Sequence, residues 1–269
     1  MRHAALAALG AILGASCVGT TGGELVSFRA AAAGPADAHN GEPLQFTTDG
    51  GWQVVLTKAT LHIGALYLDQ SIPVSGSQGT NCILPGTYVA QVTSGRDVDL
   101  LSPDPQIFPS EGEGTTFPPA LVGQVWLTGG DINAGVDATS ILALVGTAAQ
   151  SGTTLSFTAN ITIGANRQAS GSSLAGASPI CKERIVSPIP TSVVVGTTGG
   201  LLLRVDPRFL FLNVDFGELT KASNAYRFSD DPNSANYTQP SRNLYQNLHS
   251  SGAFEQGASL YTFSWTASL

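Results

Sequence analysis

Charge is scarce in this chain: only 12% of its 269 residues are Asp, Glu, Lys or Arg, and 12 basic side chains face 19 acidic ones for a formal charge of −7. So few basic residues argue against a nucleic-acid partner, whose phosphates must be neutralised by clustered Lys and Arg. Histidine is scarcer still. Outside the first seventeen residues it occurs only at His39, His62 and His249, and no two of these have the i, i+2 or i, i+4 spacing that puts two ligands on one face. The longest small-aliphatic run, residues 4–15, is too short to cross a bilayer as a helix. No internal repeat recurs at a fixed period.

What the chain does contain is 42% hydrophobic residues, 31 Gly and 15 Pro, with Thr and Ser between short apolar runs. That composition favours many strands joined by turns. The organising stretch is residues 52–69, WQVVLTKATLHIGALYLD. Trp52, Val54 and Leu56 share one parity, whereas Ala59, Leu61, Ile63, Ala65 and Tyr67 share the other, so the inward face switches near Thr57 and Lys58. Because strand side chains alternate strictly, the switch requires a bulge, a turn or a crossing between sheets.

Along the rest of the chain, strands are expected at residues 24–29, 45–48, 87–93, 122–127, 208–215 and 260–269, and a strand or buried helical turn at 140–145. The cleanest alternation is at 153–163, with Leu155, Phe157, Ala159, Ile161 and Ile163 on one face. Residues 192–195 and 201–205 bracket a Gly-rich turn and read as a hairpin. Loops are expected at 30–42, holding Asp37, His39 and Asn40, at 72–85 and at 168–178. The acid-, Pro- and Gly-rich segment 96–119 is either a surface excursion or a domain boundary. One short helix is expected at 241–249, with Ser241 as N-cap and Leu244, Tyr245 and Leu248 on one stripe. The pattern predicts an all-β fold, an antiparallel β-sandwich with long Gly/Pro-rich loops and one short helix near the C-terminus, in a single domain over residues 24–269.

At the N-terminus, Arg2 and the apolar run 4–15 have the form of a signal peptide, ending in Leu13-Gly14-Ala15-Ser16-Cys17. This segment resembles the lipobox of bacterial lipoproteins, in which small residues precede a cysteine that is acylated and becomes the mature N-terminus. Here Leu13 stands one position further from the cysteine than the family's usual aliphatic residue. The resemblance covers about the first seventeen residues. It implies a signal peptide over 1–16, a palmitate-type lipid on Cys17, a tether over 17–23, and a protein held on a membrane of the cell envelope, facing the periplasm or the cell surface. With Cys17 consumed, Cys82 and Cys181 remain, and an exported chain with one leftover pair reads as a single disulfide.

Chemistry is thinly signalled. His39 and His62 lie near Asp37 and Asp69 in sequence, and His249 completes the set of candidate metal ligands, but their spacing predicts no metal site and no cofactor. Asp230, Asp231, Asn233 and Asn236 could supply oxygens to calcium, although Asp-Asp-Pro-Asn is equally a turn. Gly171-Ser172-Ser173 comes near a hydrolase elbow but lies in a Ser/Gly loop. Trp126, Trp265, Tyr237, Tyr245 and Tyr261 are candidates to stack on sugars, while Trp52 and Phe157 belong to the core. The expected function is a non-catalytic binding or structural module for a protein or carbohydrate ligand. Competing readings are an extracytoplasmic hydrolase of polymers, a metal-binding envelope protein, and an outer-membrane barrel suggested by the aromatic alternation of the last strand.

Overall fold

The computed structural model describes residues 22–72, 76–78, 81–83, 86–128, 137–163, 184–222, 225–251 and 259–269. Cys17, Ser172 and Cys181 lie outside them, and Cys82 is described by its backbone alone. In chain order the strands are β1 (Leu25–Ala33), β2 (Leu44–Thr47), β3 (Gln53–Ile63), β4 (Ala65–Asp69), β5 (Gly76–Gln78) and β6 (Asn81–Ile83). Next come β7 (Tyr88–Val92), β8 (Arg96–Asp99), β9 (Gln106–Ile107), β10 (Gly112–Thr115), β11 (Ala120–Trp126) and β12 (Asp137–Gln150). The last six are β13 (Thr153–Ile163), β14 (Ile185–Val193), β15 (Gly200–Val205), β16 (Thr220–Ala222), β17 (Ala225–Phe228) and β18 (Tyr261–Thr266), and the helix α1 (Gln239–Leu248) precedes β18.

Two sheets pack face to face around one apolar core, as expected for a sandwich. The nine-stranded sheet runs β14-β11-β4-β7-β10-β1-β15-β18 with β9 also on β1, and the seven-stranded sheet runs β16-β17-β13-β12-β3-β2 with β8 also on β3. Pairing is antiparallel except for β1 with β15 and β13 with β17, which are parallel. Segment 96–119 is woven into both sheets, because β8 adds to β3 while β9 and β10 add to β1.

The parity switch in β3 has a physical origin at Thr57. Lys58 stands opposite Val145 and Leu56 opposite Gly146, so Thr57 is the extra residue of a β-bulge. Thr57 and Lys58 are both exposed, with fully buried Leu56 and Ala59 on either side. Seven residues later the chain changes sheets. Gly64 donates its N–H to Trp126 O at 2.8 Å, and a Cβ on Gly64 would stand 2.1 Å from Thr128 O, so only glycine fits the crossing. The crossing also reverses the parity: Leu66 and Leu68 enter the core, and Ala65 and Tyr67, expected to continue the inward set, turn to the other face.

Other expectations are corrected. Ala30–Ala33, expected as loop, is strand: Ala30 and Ala32 join the main core while Ala31 and Ala33 pack with Leu202 on the opposite side. Burial on both faces overrides alanine's weak strand preference. Residues 192–205 form no hairpin, since β14 pairs with β11 whereas β15 pairs with β1 and β18. Pro188 and Pro190 confine β14 to a sheet edge. Residues 208–215 are not a strand. Pro207–Phe211 is a 3-10 turn started by Asp206, whose Oδ1 accepts from Arg208 N–H at 3.0 Å, and it delivers Phe211 onto Phe216 in the core, with ring centroids 5.6 Å apart. Residues 72–85, expected as loop, hold the β5–β6 pair. Ser241 lies inside α1, which Thr238 begins, and its buried Oγ accepts from Ser229 N–H at 2.8 Å. The stripe Leu244, Tyr245 and Leu248 is buried as expected.

Candidate functional site

The face of β4 turned away from the core carries Tyr67 and Asp69, and the same face of neighbouring β11 carries Gln124 and Trp126, with Gln124 directly opposite Tyr67. Tyr88 of β7 stands opposite Asp69. Tyr67 is the centre of an aromatic wall, its ring 4.6 Å from Trp126 and 5.2 Å from Tyr88, both tilted. Beside the wall lies a polar chain. Trp126 Nε1–H donates to Gln124 Oε1 at 3.1 Å, and Gln124 Nε2 donates to Asp69 Oδ2 at 2.6 Å. Asp69 and Gln124 are fully buried, and Asp69 Oδ1 has no hydrogen-bond partner among the described residues.

The electrostatics follow from burial. Desolvation pushes the Asp69 carboxyl up to about 6 against the smaller opposing effect of the Gln124 bond. Desolvation, followed by the charges of Asp69 and Tyr67, pushes the Tyr88 phenol up to about 12, and burial raises Tyr67 as well. Asp69, Tyr67 and Tyr88 all resist negative charge.

Where β3 crosses to β4 the wall borders a groove of about 320 Å³, lined by His62, Tyr67, Thr93, Gly95, Trp126 and Thr128. His62 Nδ1 is held by Asp97 Oδ1 at 2.7 Å across the β3–β8 pair. That bond fixes the imidazole and directs Nε2 towards Gly95, where an added Cβ would stand 3.5 Å from it. The groove therefore offers a stacking face, hydroxyls and one oriented ring nitrogen.

The three histidines are not brought together. His62 pairs with Asp97, not Asp69, and His39 sits in the exposed loop beside Asp37. His249 follows α1, its ring tilted against Tyr245 with centroids 4.4 Å apart. Among the described residues no three or more His, Cys, Asp or Glu side chains converge as a metal site. Asp37 instead forks with Arg208 at 2.8 and 3.0 Å, and this hydrogen bonding holds its carboxyl below the usual range. Asp231 closes a turn by accepting from Asn233 N–H at 2.9 Å, while Asp230 clamps Thr162 through N–H and Oγ1 at 3.0 and 2.6 Å.

Of the aromatic candidates, Tyr245 and Tyr261 are buried, and Trp265 packs on Phe28 and donates to Thr198 O at 2.9 Å. Tyr237 is half-buried. Trp126 alone among them lines the aromatic groove, while Trp52 and Phe157 are core as expected. The residues missed from the sequence are Tyr88, Gln124 and Asp97, while Tyr67 was expected to face the core and Asp69 to neighbour His62. The available signal was Gln124 standing alone among apolar neighbours in ALVGQVW.

No protein-family model matches the chain, and no curated protein matches it in sequence. Among solved structures it is similar to MbnP from Methylosinus trichosporium, with a TM-score of 0.38 and 11% identity, over 91% of this chain and 99% of that one.

Proposed function

We propose that the chain is an envelope-anchored lipoprotein acting as a non-catalytic binding module, and that its ligand seat is the groove walled by Tyr67 and Trp126. The observation that carries the reading is the 4.6 Å aromatic pair, set on a strand crossing and backed by the Gln124–Asp69 chain that fixes the indole. A ligand with a flat apolar face and a hydroxyl edge suits it, as a neutral saccharide does: the ring face stacks on Trp126, and hydroxyls meet His62 Nε2 and Thr93. Glycosidic cleavage needs two facing carboxylates, and the described lining supplies none.

The test is calorimetric titration of the mature protein with neutral oligosaccharides of glucose and N-acetylglucosamine. Measurable binding, weakened about fivefold to tenfold by Trp126→Ala, is expected, in line with the 0.5–1.5 kcal/mol of an aromatic contact. Absence of binding across both series, or binding indifferent to Trp126→Ala, counts against the groove. Anchoring is tested separately, because Cys17→Ser should release the protein from membrane fractions.

One observation favours a second reading, a metal-binding envelope protein: an imidazole oriented by a carboxylate is the arrangement of metal-ligating histidines. It places one ligand nitrogen in the groove.

A further inference from the structure

Six large apolar side chains stand exposed among the described residues: Leu25, Ile72, Phe117, Leu121, Val145 and Val194. The strand register puts five of them at one end of the nine-stranded sheet. A continuous row of partners, Gly123–Leu68–Ala90–Gly114–Val26, crosses β11, β4, β7, β10 and β1 and fixes their relative heights. Beyond that row, on the same side, β1 begins at Leu25 and β10 ends at Thr115, opposite it, with Phe117 two residues on. There β11 begins at Ala120, followed by Leu121, opposite Val193 at the end of β14, and Val194 comes next. Ile72 lies three residues past the end of β4 at the same end. Val145 alone belongs to the other sheet.

Two features say what covers this rim. Its residues, 24–25, 70–72, 116–121 and 193–195, include a single ionisable side chain, Glu24, so the rim is built for an uncharged apolar partner. Leu25 is also eight residues from Cys17, and a fully extended chain spans at most about 3.6 Å per residue, so a lipid on Cys17 holds the rim within about 30 Å of the headgroups.

We propose that Leu25, Ile72, Phe117, Leu121 and Val194 rest in the interfacial layer of the bilayer that holds the anchor, so that the domain docks by this end instead of swinging on its tether. The inference rests on the lipoprotein reading for the anchor and not on the groove. It orients the molecule: the groove, seven strand positions back along β4 from Ile72, is held on the order of 20 Å above the lipid surface and opens sideways.

The experiment introduces single tryptophans at exposed positions, Phe117→Trp at the rim and Val145→Trp on the other sheet, and subtracts the signal of the unaltered protein. Acylated protein, its Cys17 modification verified by mass, is reconstituted in phosphatidylcholine vesicles with and without dibrominated acyl chains. A parallel sample carries an N-terminal hexahistidine in place of the acylated cysteine and is held on nickel-chelating lipid. Bromolipid quenching at position 117 at least twice that at 145, in both samples and unchanged by 0.5 M salt, is expected. Excess quenching in the nickel-tethered sample with no acylation of Cys17 supports the rim while removing the lipoprotein reading. Equal quenching at the two positions in tethered protein overturns the proposal. A dimer in sedimentation that Leu121→Asp dissociates also overturns it, assigning the rim to a second copy of the chain.

Discussion

The carboxylate of Asp69 and the indole of Trp126 are joined by one side chain: Gln124 gives its Nε2–H to Asp69 Oδ2 at 2.6 Å and takes the Trp126 Nε1–H on Oε1 at 3.1 Å. Only this orientation of the amide serves both partners, because the indole can only donate and an ionised carboxylate can only accept. The ring that walls the groove is thus positioned from inside the protein.

The first prediction concerns pH. The folded Asp69 carboxyl, pushed up to about 6 from an ordinary 3.8, keeps a proton that the unfolded chain has already lost, so its contribution to stability falls as pH rises through that window. At pH 7.5 ionised Asp69 costs about 3 kcal/mol relative to its unfolded state, and lowering the pH to 5 recovers about 1 kcal/mol. Denaturant unfolding should show this gain in the unaltered protein and its loss in Asp69→Asn, which fills the site without charge. An equal gain in both proteins would remove Asp69 as its source.

Gly64→Ala should be severe. The new Cβ would meet Thr128 O at 2.1 Å, a backbone atom that cannot step aside without moving the crossing. A loss of about 3 kcal/mol is expected by urea unfolding, at the upper range of overpacking costs. Gly152→Ala, where nothing lies within 4 Å but φ is +81°, should lose clearly less.

Asp37→Asn tests the ion pair with Arg208, in which Asp37 is 64% exposed and hence well screened. A loss below about 1 kcal/mol at pH 7 is expected. Since this carboxyl is held below its ordinary value of 3.8, its contribution is present above about pH 4 and is lost as pH falls further, so the difference between variant and parent should shrink steadily below pH 4.

Purified mature protein, dialysed, should hold no stoichiometric transition metal, because the groove presents one ligand nitrogen, His62 Nε2, where a stable site needs three or four ligands. Elemental analysis decides it. One metal per chain, lost in His62→Ala, would establish the metal-binding reading in its place.

A disulfide between Cys82 and Cys181 is proposed from the sequence, because these two remain once Cys17 is acylated in an exported chain. It would close a loop of about 100 residues, for which the chain-entropy estimate is about 4.7 kcal/mol. A non-reduced digest should yield a linked peptide pair. Alkylation of either cysteine without prior reduction would sink the idea.

The fold was legible where one face is wet. Residues 153–163 and 261–266 alternate because water meets every second side chain, and the bulge at Thr57 announced itself as two consecutive polar residues in an apolar strand. Legibility failed where both faces are covered, as at Ala30–Ala33, or where partner choice is decided far away, as for β14 and β15. The candidate site was hidden for a related reason. Asp69 and Gln124 are polar residues placed by strand register across 55 positions of sequence, and neither chemistry nor spacing at either position reveals the other.

The first strand of the fold and its last stand two places apart in one sheet, with β15 between β1 and β18, and Arg29 Nη1 reaches Leu269 O at 2.7 Å. A chain delivered N-terminus first therefore leaves the side of β1 that faces β15 without its partner until residues 200–205 have arrived, and the far side of β15 without its own until residues 261–266 follow. Closing such distant pairs comes late and slowly, as it does wherever long loops must be ordered before contacts reward them. First β1 and then β15 is an open strand edge, so the interval between the emergence of residue 33 and that of residue 266 is when this protein is most exposed to mispairing with its neighbours.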